Sequence, residues 1–432
     1  MVKFSSNIRR KLTVTVESIG AQGDGVVNDS NGRFYIPFAA PGDQLSITPG
    51  RRRGDGVEAA IDAVIEPSPD RATPVCRHFE TCGGCALQHV ATARIAVEKK
   101  ALLTRALARR GLENTPVAET VTIAPETRRR VRFALHNGQI PAFGFRRRNS
   151  RFVMDMAECP VARPSIVAVA PYLRALIPNL PALGASAEIS VTDCDSGLDI
   201  LLAPSKPSNP SFAERQALAD FAAQHDLARL SWDDGGGPEP IAARRAATAR
   251  FGDATVALPA GAFLQPTAEG EATIARLVVA AADQAKSRAD LFAGCGALSF
   301  PLLSGGPVHA FEGDSGMVDA ARHATSNATS QGAARSLTAS VRDLARDPLG
   351  VAELNRFGVV VFDPPRAGAA AQTRELAVST VPAIVAVSCN PATLARDLRT
   401  LVDGGYHIES ATPIDQFAWS PHIEAVVVLR RQ

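Results

Sequence analysis

Two reactive side chains each follow a strongly apolar run in the last third of the sequence. Asp363 stands directly after FGVVVF, and Cys389 stands directly after AIVAVS. Helix-like segments separate these runs, which predicts a parallel sheet with helices on both faces. Because ligands bind at the carboxyl ends of such strands, we expect Asp363 and Cys389 to face one cleft. Each has a simpler explanation as well: Asp363-Pro364-Pro365 as a plain strand end, and Cys389 as a core cysteine.

The thiol of Cys389 would act as a nucleophile in its ionised form. Asn390-Pro391 ends the strand abruptly, and a following helix N-terminus would raise the thiolate fraction of a group whose usual pKa is about 8.5. Addition of a thiolate at C6 of a pyrimidine turns C5 into an enolate-like carbanion that can accept a methyl group. A base must then take the C5 proton, and the candidates are Glu424, at the start of the last strand, and His422.

A glycine-rich turn follows an earlier apolar strand, in the stretch DLFAGCGALSF from Asp290 to Phe300. Gly294 and Gly296 let the backbone turn sharply, and the next helix presents free N–H groups to a ligand. Glu312 ends the following strand and suits the two hydroxyl groups of a ribose. The stretch lacks the GxGxxG spacing of dinucleotide-binding proteins. S-adenosylmethionine is therefore the natural candidate ligand, and a plain strand-to-helix turn is the alternative.

The chain has seven cysteines, and their odd number favours metal or catalytic roles over a disulfide framework. The first residues, MVKFSSNIRRKLTVTV, lack the apolar core of a signal peptide, so we expect a cytoplasmic protein. Four thiolates can hold a zinc ion or an iron–sulfur cluster, and spacing alone does not decide between the two. The predicted metal ligands are Cys76, Cys82, Cys85 and Cys159.

Eight arginines and no acidic residue lie between Thr127 and Met154, and phenylalanines are interleaved with them. Guanidinium groups neutralise phosphates and aromatic rings stack on bases, so this segment predicts a surface that binds nucleic acid. The alternative is a solvated hairpin, RVRFAL-HNGQ-IPAFGFRRR, with its phenylalanines in the core. The candidates for contact with RNA are Arg130, Arg132, Arg146, Arg147 and Arg148.

The 432 residues are too many for one ordinary domain, and the sequence pattern changes twice along the chain. Short strands separated by turns predict a small β-barrel at residues 8–67. Mixed strands and helices follow at residues 68–260, and alternating strands and helices begin at residue 261. No run of about 18 uncharged apolar residues occurs, so we expect a soluble globular protein without a membrane span.

Together these motifs resemble the family of uracil-C5 RNA methyltransferases over nearly the whole chain. The barrel is similar to a TRAM domain, an RNA-binding module with an OB-like fold. The pattern C-x5-C-G-G-C-x2-Q-H with a distant E-C-P resembles the family's [4Fe-4S] motif, which favours an iron–sulfur cluster over zinc. The resemblance implies an α/β fold class, with a Rossmann-like class I methyltransferase domain at residues 261–432. The barrel and a central α+β domain with the cluster would precede it.

The resemblance also implies roles for single residues. Cys389 would be the nucleophile, and Glu424 would take the C5 proton of a uridine that is flipped out of any stack. The chain departs from the family pattern at Thr267, where an asparagine is common, and at Ala418-Trp419-Ser420, where P-H-T is common. The residues implied to bind S-adenosylmethionine are Gln265, Phe292, Gly294, Gly296, Glu312, Asp343 and Asp363.

The resemblance favours 23S ribosomal RNA as the substrate. Members with both the barrel and the cluster resemble the 23S rRNA enzymes, whereas the tRNA enzymes typically lack both. We expect a monomer. Three other functions stay open: the same chemistry on tRNA, methyl transfer to a nitrogen without use of Cys389, and RNA binding by an iron–sulfur protein that has no catalytic activity.

Overall fold

The computed structural model describes residues 11–138, 141–330 and 336–431. Within them, no helix is long and apolar enough to cross a membrane. Parts of three predictions lie outside the described residues. They are residues 8–10 of the predicted barrel, Gln139 and Ile140 of the predicted hairpin, and residues 331–335 and Gln432 of the last predicted domain.

The N-terminal strands form one sheet: β1 (Leu12–Thr15), β2 (Ser18–Ile19), β3 (Gly25–Asp29), β4 (Gly32–Ile36), β5 (Gln44–Arg53) and β6 (Gly56–Glu66). Their order is β1-β5-β6-β4-β3-β2. β1 and β2 belong to one bent stretch and pair with β5 and β3 at opposite edges, so the sheet curls into a barrel. Alternating residues such as Val14, Leu45 and Ile47 are buried inside it.

One long helix and one short strand follow the barrel: α1 (Thr92–Ala108) and β7 (Val121–Thr122). The buried face of α1 includes Ile95, Leu103 and Leu107. Leu103 and Leu107 belong to the core beneath the C-terminal sheet, whereas Ile95 packs in a small apolar cluster with the barrel. The helix therefore joins the barrel to the C-terminal sheet.

The central part of the chain contains β8 (Arg130–His136), β9 (Ala142–Arg146), β10 (Val153–Asp155), α2 (Pro164–Leu176), β11 (Ser186–Cys194), β12 (Gly197–Pro204), α3 (Phe212–Gln224), β13 (Arg229–Asp233) and β14 (Pro238–Ala243). The strands form one sheet in the order β10-β9-β8-β11-β12-β13-β14, which is antiparallel except between β12 and β13. β8 and β9 pair as the arginine-rich hairpin predicts. Phe133 and Phe143 are buried in its core, whereas Arg132 and Arg146 face outward.

A separate hairpin of β15 (Thr248–Phe251) and β16 (Ala254–Ala257) precedes α4 (Ala268–Ala281). Phe251 and Val256 of this hairpin are buried in the core of the C-terminal sheet. The segment 68–260 therefore contributes α1, β7 and this hairpin to the C-terminal part of the molecule. A change of sequence pattern marks where the parallel sheet begins, but it does not show which earlier segments pack on that sheet.

The C-terminal part alternates strands and helices: β17 (Arg288–Leu291), α5 (Ser299–Leu302), β18 (Val308–Glu312), α6 (Ser315–Ser330), β19 (Leu337–Val341), α7 (Val351–Leu354), β20 (Val359–Phe362), α8 (Ala370–Val378), β21 (Ala383–Ser388), α9 (Pro391–Asp403), β22 (Tyr406–Asp415) and β23 (Glu424–Arg431). The sheet has the order β19-β18-β17-β20-β21-β23-β22-β7. The five neighbouring strands β19, β18, β17, β20 and β21 are parallel to one another, and β23 runs antiparallel to β21.

The order of the parallel strands reverses between β17 and β20. From β17 the chain runs outward through β18 to β19, and it then crosses back to β20 on the other side of β17. The carboxyl ends of β17 and β20 therefore border a crevice. Ligands bind in this crevice in open sheets of the same kind.

Candidate active site

The glycine-rich turn after β17 has a backbone conformation that favours glycine. The φ angles of Gly294 and Gly296 are 55° and 93°, and Phe292 also has a positive φ, 62°. A side chain at Gly296 would meet the ring of Phe300 at 2.8 Å. A side chain at Gly294 would meet no described atom within 4 Å, so the backbone of Gly294 borders open space where a ligand can approach closely.

Backbone donors hold Glu312 in position at the end of β18. Its carboxylate oxygens accept hydrogen bonds from the N–H groups of Gly294 and Asp314, both at 2.9 Å. Each oxygen has a further lone pair, which can accept from a ribose hydroxyl. Asp343 lies two residues after β19, where its half-exposed carboxylate accepts from the N–H of Ala345 at 3.1 Å. Both acids therefore lie at the same edge of the sheet as the glycine-rich turn.

Gln265 and Asp363 contact each other across the crevice. Asp363 follows β20, and its Oδ2 accepts a hydrogen bond from Nε2 of Gln265 at 2.9 Å. The backbone carbonyl of Gln265 accepts a hydrogen bond from Nε of Arg129 at 3.1 Å, and Nη2 of Arg129 pairs with the carboxylate of buried Glu271 at 2.6 Å. Arg129, from the arginine-rich segment, is therefore a buried support for Gln265.

Thr267 has a structural function at the start of α4. It is buried, and its Oγ1 accepts a hydrogen bond from the N–H of Gly270 at 3.0 Å. Threonine and asparagine both serve as helix N-caps. The replacement of the common asparagine at this position therefore leaves the start of the helix capped.

Cys389 and Glu424 lie at the same end of the pair β21–β23. Ser388 and Ala425 form the last pair of the two strands, and Cys389 and Glu424 are the next residues beyond Ser388 and Ala425 at this end. Cys389 is partly exposed and Glu424 is buried. Burial raises the pKa of the Cys389 thiol, and the negative charge of Glu424 raises it further.

Arg366 belongs to the site, although the sequence predictions did not include it. It borders the same cavity as Cys389, and its positive charge and hydrogen bond lower the pKa of the thiol, against the larger effect of burial. The Arg366 carbonyl accepts hydrogen bonds from Nδ2 of Asn390 at 3.0 Å and from Oγ1 of Thr393 at 3.2 Å. The available signal was a cation directly after Asp363-Pro364-Pro365.

Gln416 is a second residue that the sequence predictions missed. Its Nε2 donates hydrogen bonds to Oε1 of Gln265 at 2.9 Å and to Oε2 of Glu424 at 3.1 Å. Because Gln265 also donates to Asp363, a continuous hydrogen-bonded chain joins Asp363 to Glu424. No periodic pattern in the sequence distinguishes Gln416 from its neighbours.

Of the two carboxyl groups at the ends of this hydrogen-bonded chain, Glu424 is buried and Asp363 is partly buried. Burial raises the pKa of Asp363 and of Glu424, and repulsion from Asp363 raises the pKa of Glu424 further. The hydrogen bond from Gln416 and the charge of Arg366 lower the pKa of Glu424. The protonation of Glu424 therefore depends on Asp363, Gln416 and Arg366, and such dependence on neighbouring groups is typical of an acid–base residue. His422, the other candidate base, is exposed and borders the cavity at Cys389.

The four predicted metal ligands line one small cavity of about 20 Å³: Cys76, Cys82, Cys85 and Cys159. Burial raises the pKa of the Cys85 thiol to about 12, and the charges of the other three thiols add to this effect. Four thiols fit an iron–sulfur cluster or zinc in the kind of donor they supply. However, in the part of the chain that the structure describes, no group of three or more His, Cys, Asp or Glu residues is arranged to hold a metal ion.

Three of the candidate RNA-binding arginines border a large cavity beside the cysteine-rich loop. Arg132, Arg146 and Arg147 line this space of about 770 Å³. Arg132 Nη1 lies 3.2 Å from Oε2 of Glu188, and Arg146 Nη2 lies 3.6 Å from Oε1 of Glu188. The side chains of these two arginines and of Glu188 are substantially exposed, and Arg147 is exposed as well. Their guanidinium groups are therefore accessible to a phosphate.

The other two candidate arginines make contacts within the protein. Arg148 also borders the large cavity, but it is mostly buried, pairs with Asp24 of the barrel and lies 4.9 Å from the ring centre of Phe38. It therefore fastens the hairpin to the barrel. Arg130 lies 5.5 Å from the ring centre of Phe263, which is 55% exposed.

Two cavities meet beside Cys389. One of about 500 Å³ lies between the barrel, α1 and Cys389, and the other is the arginine-lined cavity. Ala21, Arg366, Pro421 and His422 border both. The arginine-lined cavity and the cavity at the Cys389 thiol therefore adjoin each other at these four residues.

The segment around Trp419 is anchored to the cysteine-rich loop. The Trp419 carbonyl accepts hydrogen bonds from the N–H groups of Ala86 at 2.9 Å and Leu87 at 3.0 Å. Its ring packs against an apolar cluster that contains Ile19 of the barrel and Ile95 of α1. The departure from the common P-H-T sequence thus adds an apolar contact between three parts of the molecule.

Comparison with known proteins relates the chain to enzymes that modify RNA. Residues 257–432 match the family described as tRNA (Uracil-5-)-methyltransferase. The chain is 43% identical over 416 residues to a protein of Mesorhizobium japonicum described only as an uncharacterized RNA methyltransferase, covering 96% of this chain and 97% of the relative. It is 30% identical over 450 residues to the 23S rRNA (uracil(1939)-C(5))-methyltransferase of Halomonas elongata, covering 99% and 91%.

A solved structure has a similar fold over almost the whole chain. It is the tRNA (uracil-54, C5)-methyltransferase of Pyrococcus abyssi in complex with S-adenosyl-L-homocysteine, with a TM-score of 0.74, 21% identity, and coverage of 97% of this chain and 100% of that chain. This likeness confirms the predicted α/β methyltransferase fold, whereas the TRAM and iron–sulfur assignments stay predictions. The relatives confirm the predicted family. The chain therefore belongs to the S-adenosylmethionine-dependent uracil-C5 RNA methyltransferases.

Proposed function

We propose that this enzyme methylates C5 of a specific uridine in 23S ribosomal RNA, with Cys389 as the nucleophile and Glu424 as the base. The observation that carries the proposal is that Cys389 directly follows β21 and Glu424 begins β23, each next to the terminal pair Ser388–Ala425, so that the charge of Glu424 acts on the thiol. The nucleophile acts on C6 and the base acts on the proton of the adjacent C5. Positions at the same end of paired strands suit two groups that act on neighbouring ring atoms.

The proposed reaction has three steps. The Cys389 thiolate forms a bond to C6, and the C5=C6 electron pair moves to C5 and O4 as an enolate. C5 then takes the methyl group as the bond between this group and the donor sulfur breaks. The Glu424 carboxylate removes the C5 proton, the C5=C6 bond forms again, and the C6–S bond breaks to return the thiolate. Arg366 would stabilise the thiolate at the start and at the end of this cycle.

S-adenosylmethionine supplies the methyl group, and we propose that it binds in the crevice between β17 and β20. Glu312 would accept hydrogen bonds from the ribose hydroxyls, and Gly294 would allow close approach of the backbone. Gln265 and Asp363 would complete the pocket on the side of the reacting uridine. The other residues of the proposed pocket are Phe292, Gly296 and Asp343.

We propose 23S rRNA as the substrate because the relative from Halomonas elongata is similar over nearly the whole chain. In this proposal, residues 8–67 form a TRAM domain, residues 68–260 a central domain and residues 261–432 the catalytic domain. The RNA would lie along the arginine-lined cavity, with its target uridine flipped out toward Cys389. Phosphate contacts would come from the exposed arginines of the hairpin.

We also propose that the four clustered cysteines hold a [4Fe-4S] cluster. The support is the shared cavity and the set of four thiols: Cys76, Cys82, Cys85 and Cys159. When bound, the cluster would cross-link the cysteine-rich loop to the segment after β10. Measurement of iron and acid-labile sulfide in protein purified without oxygen tests this assignment. Replacement of Cys85 by serine should lower both contents together.

Covalent trapping with 23S rRNA fragments that carry 5-fluorouridine tests the proposed reaction. Fluorine cannot leave as a cation, so the enzyme should stop as a methylated adduct with the RNA. We expect this adduct, by intact mass, for the wild type and for Cys194→Ala, a matched replacement of a buried cysteine outside the site. We expect no adduct for Cys389→Ala.

Other outcomes would change the proposal in defined ways. Methyl transfer to ordinary RNA by Cys389→Ala would reject the thiol mechanism and favour a nitrogen target. An adduct with tRNA but not with 23S fragments would replace the substrate and keep the chemistry. Absence of transfer to either RNA by the wild type, purified with its full iron content, would reject the proposed substrates.

A further inference from the structure

Gln416 lies between the proposed base and the methyl-donor pocket. We infer that Gln416 is a positioning residue that holds the Glu424 carboxylate for removal of the C5 proton and links it through Gln265 to Asp363. This inference rests on the proposed function of Glu424. Its basis is the hydrogen-bonded chain in which Gln416 donates both to Gln265, at 2.9 Å, and to Glu424, at 3.1 Å.

The hydrogen bonds leave one oxygen of Glu424 available. Gln416 donates to Oε2, whereas Oε1 of Glu424 is buried and has no hydrogen-bond partner among the described residues. A buried oxygen without a partner is costly unless a ligand supplies a hydrogen-bond donor or a proton to it. Gln416 thus fixes one oxygen of the carboxylate and leaves the other to accept the C5 proton.

The shape of the surrounding structure confines the Gln416 side chain. Gly270, in the first turn of α4, lies directly against it, and a Cβ atom at position 270 would approach Cβ of Gln416 to 2.9 Å and clash with its amide oxygen. Because Gly270 has no side chain, the amide can lie between α4 and Glu424. A methyl group at position 270 would displace the Gln416 amide without changing its chemistry, and it would also lie 2.7 Å from Oγ1 of Thr267, which caps α4.

The charges around Glu424 explain why this hydrogen bond matters for the reaction. The charged or titratable groups that face Glu424 are Asp363 at the end of β20, Arg366 in the next loop and Cys389 at the end of β21. Burial and Asp363 favour the protonated form of Glu424, whereas Gln416 and Arg366 favour the carboxylate. Only the carboxylate can take the C5 proton, so loss of Gln416 should slow the release step.

The test uses Gln416→Met, which keeps the length of the side chain and removes the N–H donors. With ordinary uridine RNA and S-adenosylmethionine, the methylated adduct on Cys389 should accumulate, and its release should be about 10-fold to 100-fold slower at pH 7. Release should recover as the pH rises, because a more alkaline solution ionises Glu424. Rapid quenching followed by intact mass measures both adduct and product.

Gln372→Met is the matched control. Gln372 is a buried glutamine of α8 that hydrogen-bonds to the Leu349 backbone, outside the site. This variant should lose stability but keep the wild-type release rate and pH profile. Gly270→Ala is an independent second variant, and it should reproduce the slow, pH-dependent release of Gln416→Met because it displaces the same amide.

The results separate the inference from the proposed function. Release at the wild-type rate in both Gln416→Met and Gly270→Ala would overturn the role of Gln416. Turnover that is slower by the same factor at every pH, without accumulation of the adduct, would also overturn the role of Gln416 in positioning the base and would indicate a structural role. In either case, trapping of the wild type by 5-fluorouridine through Cys389 would leave the proposed function intact. Failure of that trap would instead reject the proposed function.

Discussion

At the scale of single residues, the positive charge of Arg366 opposes two effects that keep the Cys389 thiol protonated. Burial and Glu424 raise the pKa of the thiol, and Arg366 lowers it. The sequence predicted Cys389 because it stands at the end of an apolar run, and it predicted Glu424 from its place at the start of the last strand together with the family resemblance. It did not predict Arg366 in this role. A loop cation has no periodic signal, and its contact with Cys389 depends on how the chain returns through β21.

Replacement of Arg366 should make the thiol less reactive near neutral pH. In Arg366→Gln the pKa of Cys389 should rise because the neighbouring positive charge is lost. Alkylation by iodoacetamide consumes the thiolate, so its rate at pH 7 should fall by about an order of magnitude and recover at higher pH. Arg374→Gln, at an exposed position of α8, changes the net charge equally and should leave the rate unchanged. An unaltered pH profile in Arg366→Gln would contradict this role.

At the scale of elements, the segment between β22 and β23 is held at both ends. Trp419 is bonded to the cysteine-rich loop. At the other end, buried Lys99 of α1 pairs with Asp415 and donates to the Phe417 carbonyl at 3.2 Å. Because this segment contains Gln416 and leads into Glu424, two distant parts of the chain position the base.

The sequence predicted these elements better than it predicted their contacts. The spacing of Ile95, Leu102, Leu103, Ala106 and Leu107 predicts an amphipathic helix. In α1, Ile95, Leu103 and Leu107 are buried, whereas Leu102 and Ala106 are only partly buried. Its contact with the C-terminal sheet was not predictable, because periodicity identifies the apolar face of a helix but not the surface that covers it. The same limit applies to β15 and β16, whose alternation is local but whose packing partner lies later in the chain.

Removal of Lys99 should destabilise the protein in a pH-dependent way. Lys99→Met leaves Asp415 buried without its cation, at an expected cost of about 3–5 kcal/mol near neutral pH. Burial already raises the pKa of Asp415, and loss of Lys99 raises it further. The folded state then binds this proton more tightly than the unfolded state does, so stability falls as the pH rises through the folded pKa.

Urea unfolding followed by tryptophan fluorescence at pH 5 and pH 8 measures this effect. The loss in Lys99→Met should be smaller at pH 5, where Asp415 binds its proton more readily. The double variant Lys99→Met/Asp415→Asn should recover most of the lost stability at pH 8, because no buried charge remains. Equal losses at the two pH values, or a double variant as unstable as the single one, would contradict this account.

At the scale of the whole molecule, the barrel, the central sheet and the C-terminal sheet enclose the two cavities that meet at Cys389. Local patterning was enough to predict the strands of the barrel, the arginine-rich hairpin and the parallel C-terminal sheet, because alternation and strand–helix spacing are properties of short stretches. It did not predict the central seven-stranded sheet, which pairs strands from distant stretches. The cavities were not predictable from such patterns. They depend on contacts between distant segments, such as those of Arg148 with Asp24 and of Trp419 with Leu87.

The salt dependence of RNA binding should distinguish arginines that face the cavity from the arginine that fastens the barrel. Arg147 is exposed in the large cavity, so Arg147→Gln should remove one phosphate contact. The slope of log affinity against log salt concentration should then decrease by about 1 in magnitude. Arg148 is mostly buried between Asp24 and Phe38, so Arg148→Gln should weaken the attachment of the hairpin and lower the unfolding midpoint. It should leave the salt slope near that of the wild type.

Fluorescence anisotropy with a labelled 23S fragment between 50 and 300 mM KCl measures the slopes, and thermal unfolding measures the midpoint. Equal changes of slope in the two variants would place Arg148 on the RNA and would require the barrel to move when the enzyme binds.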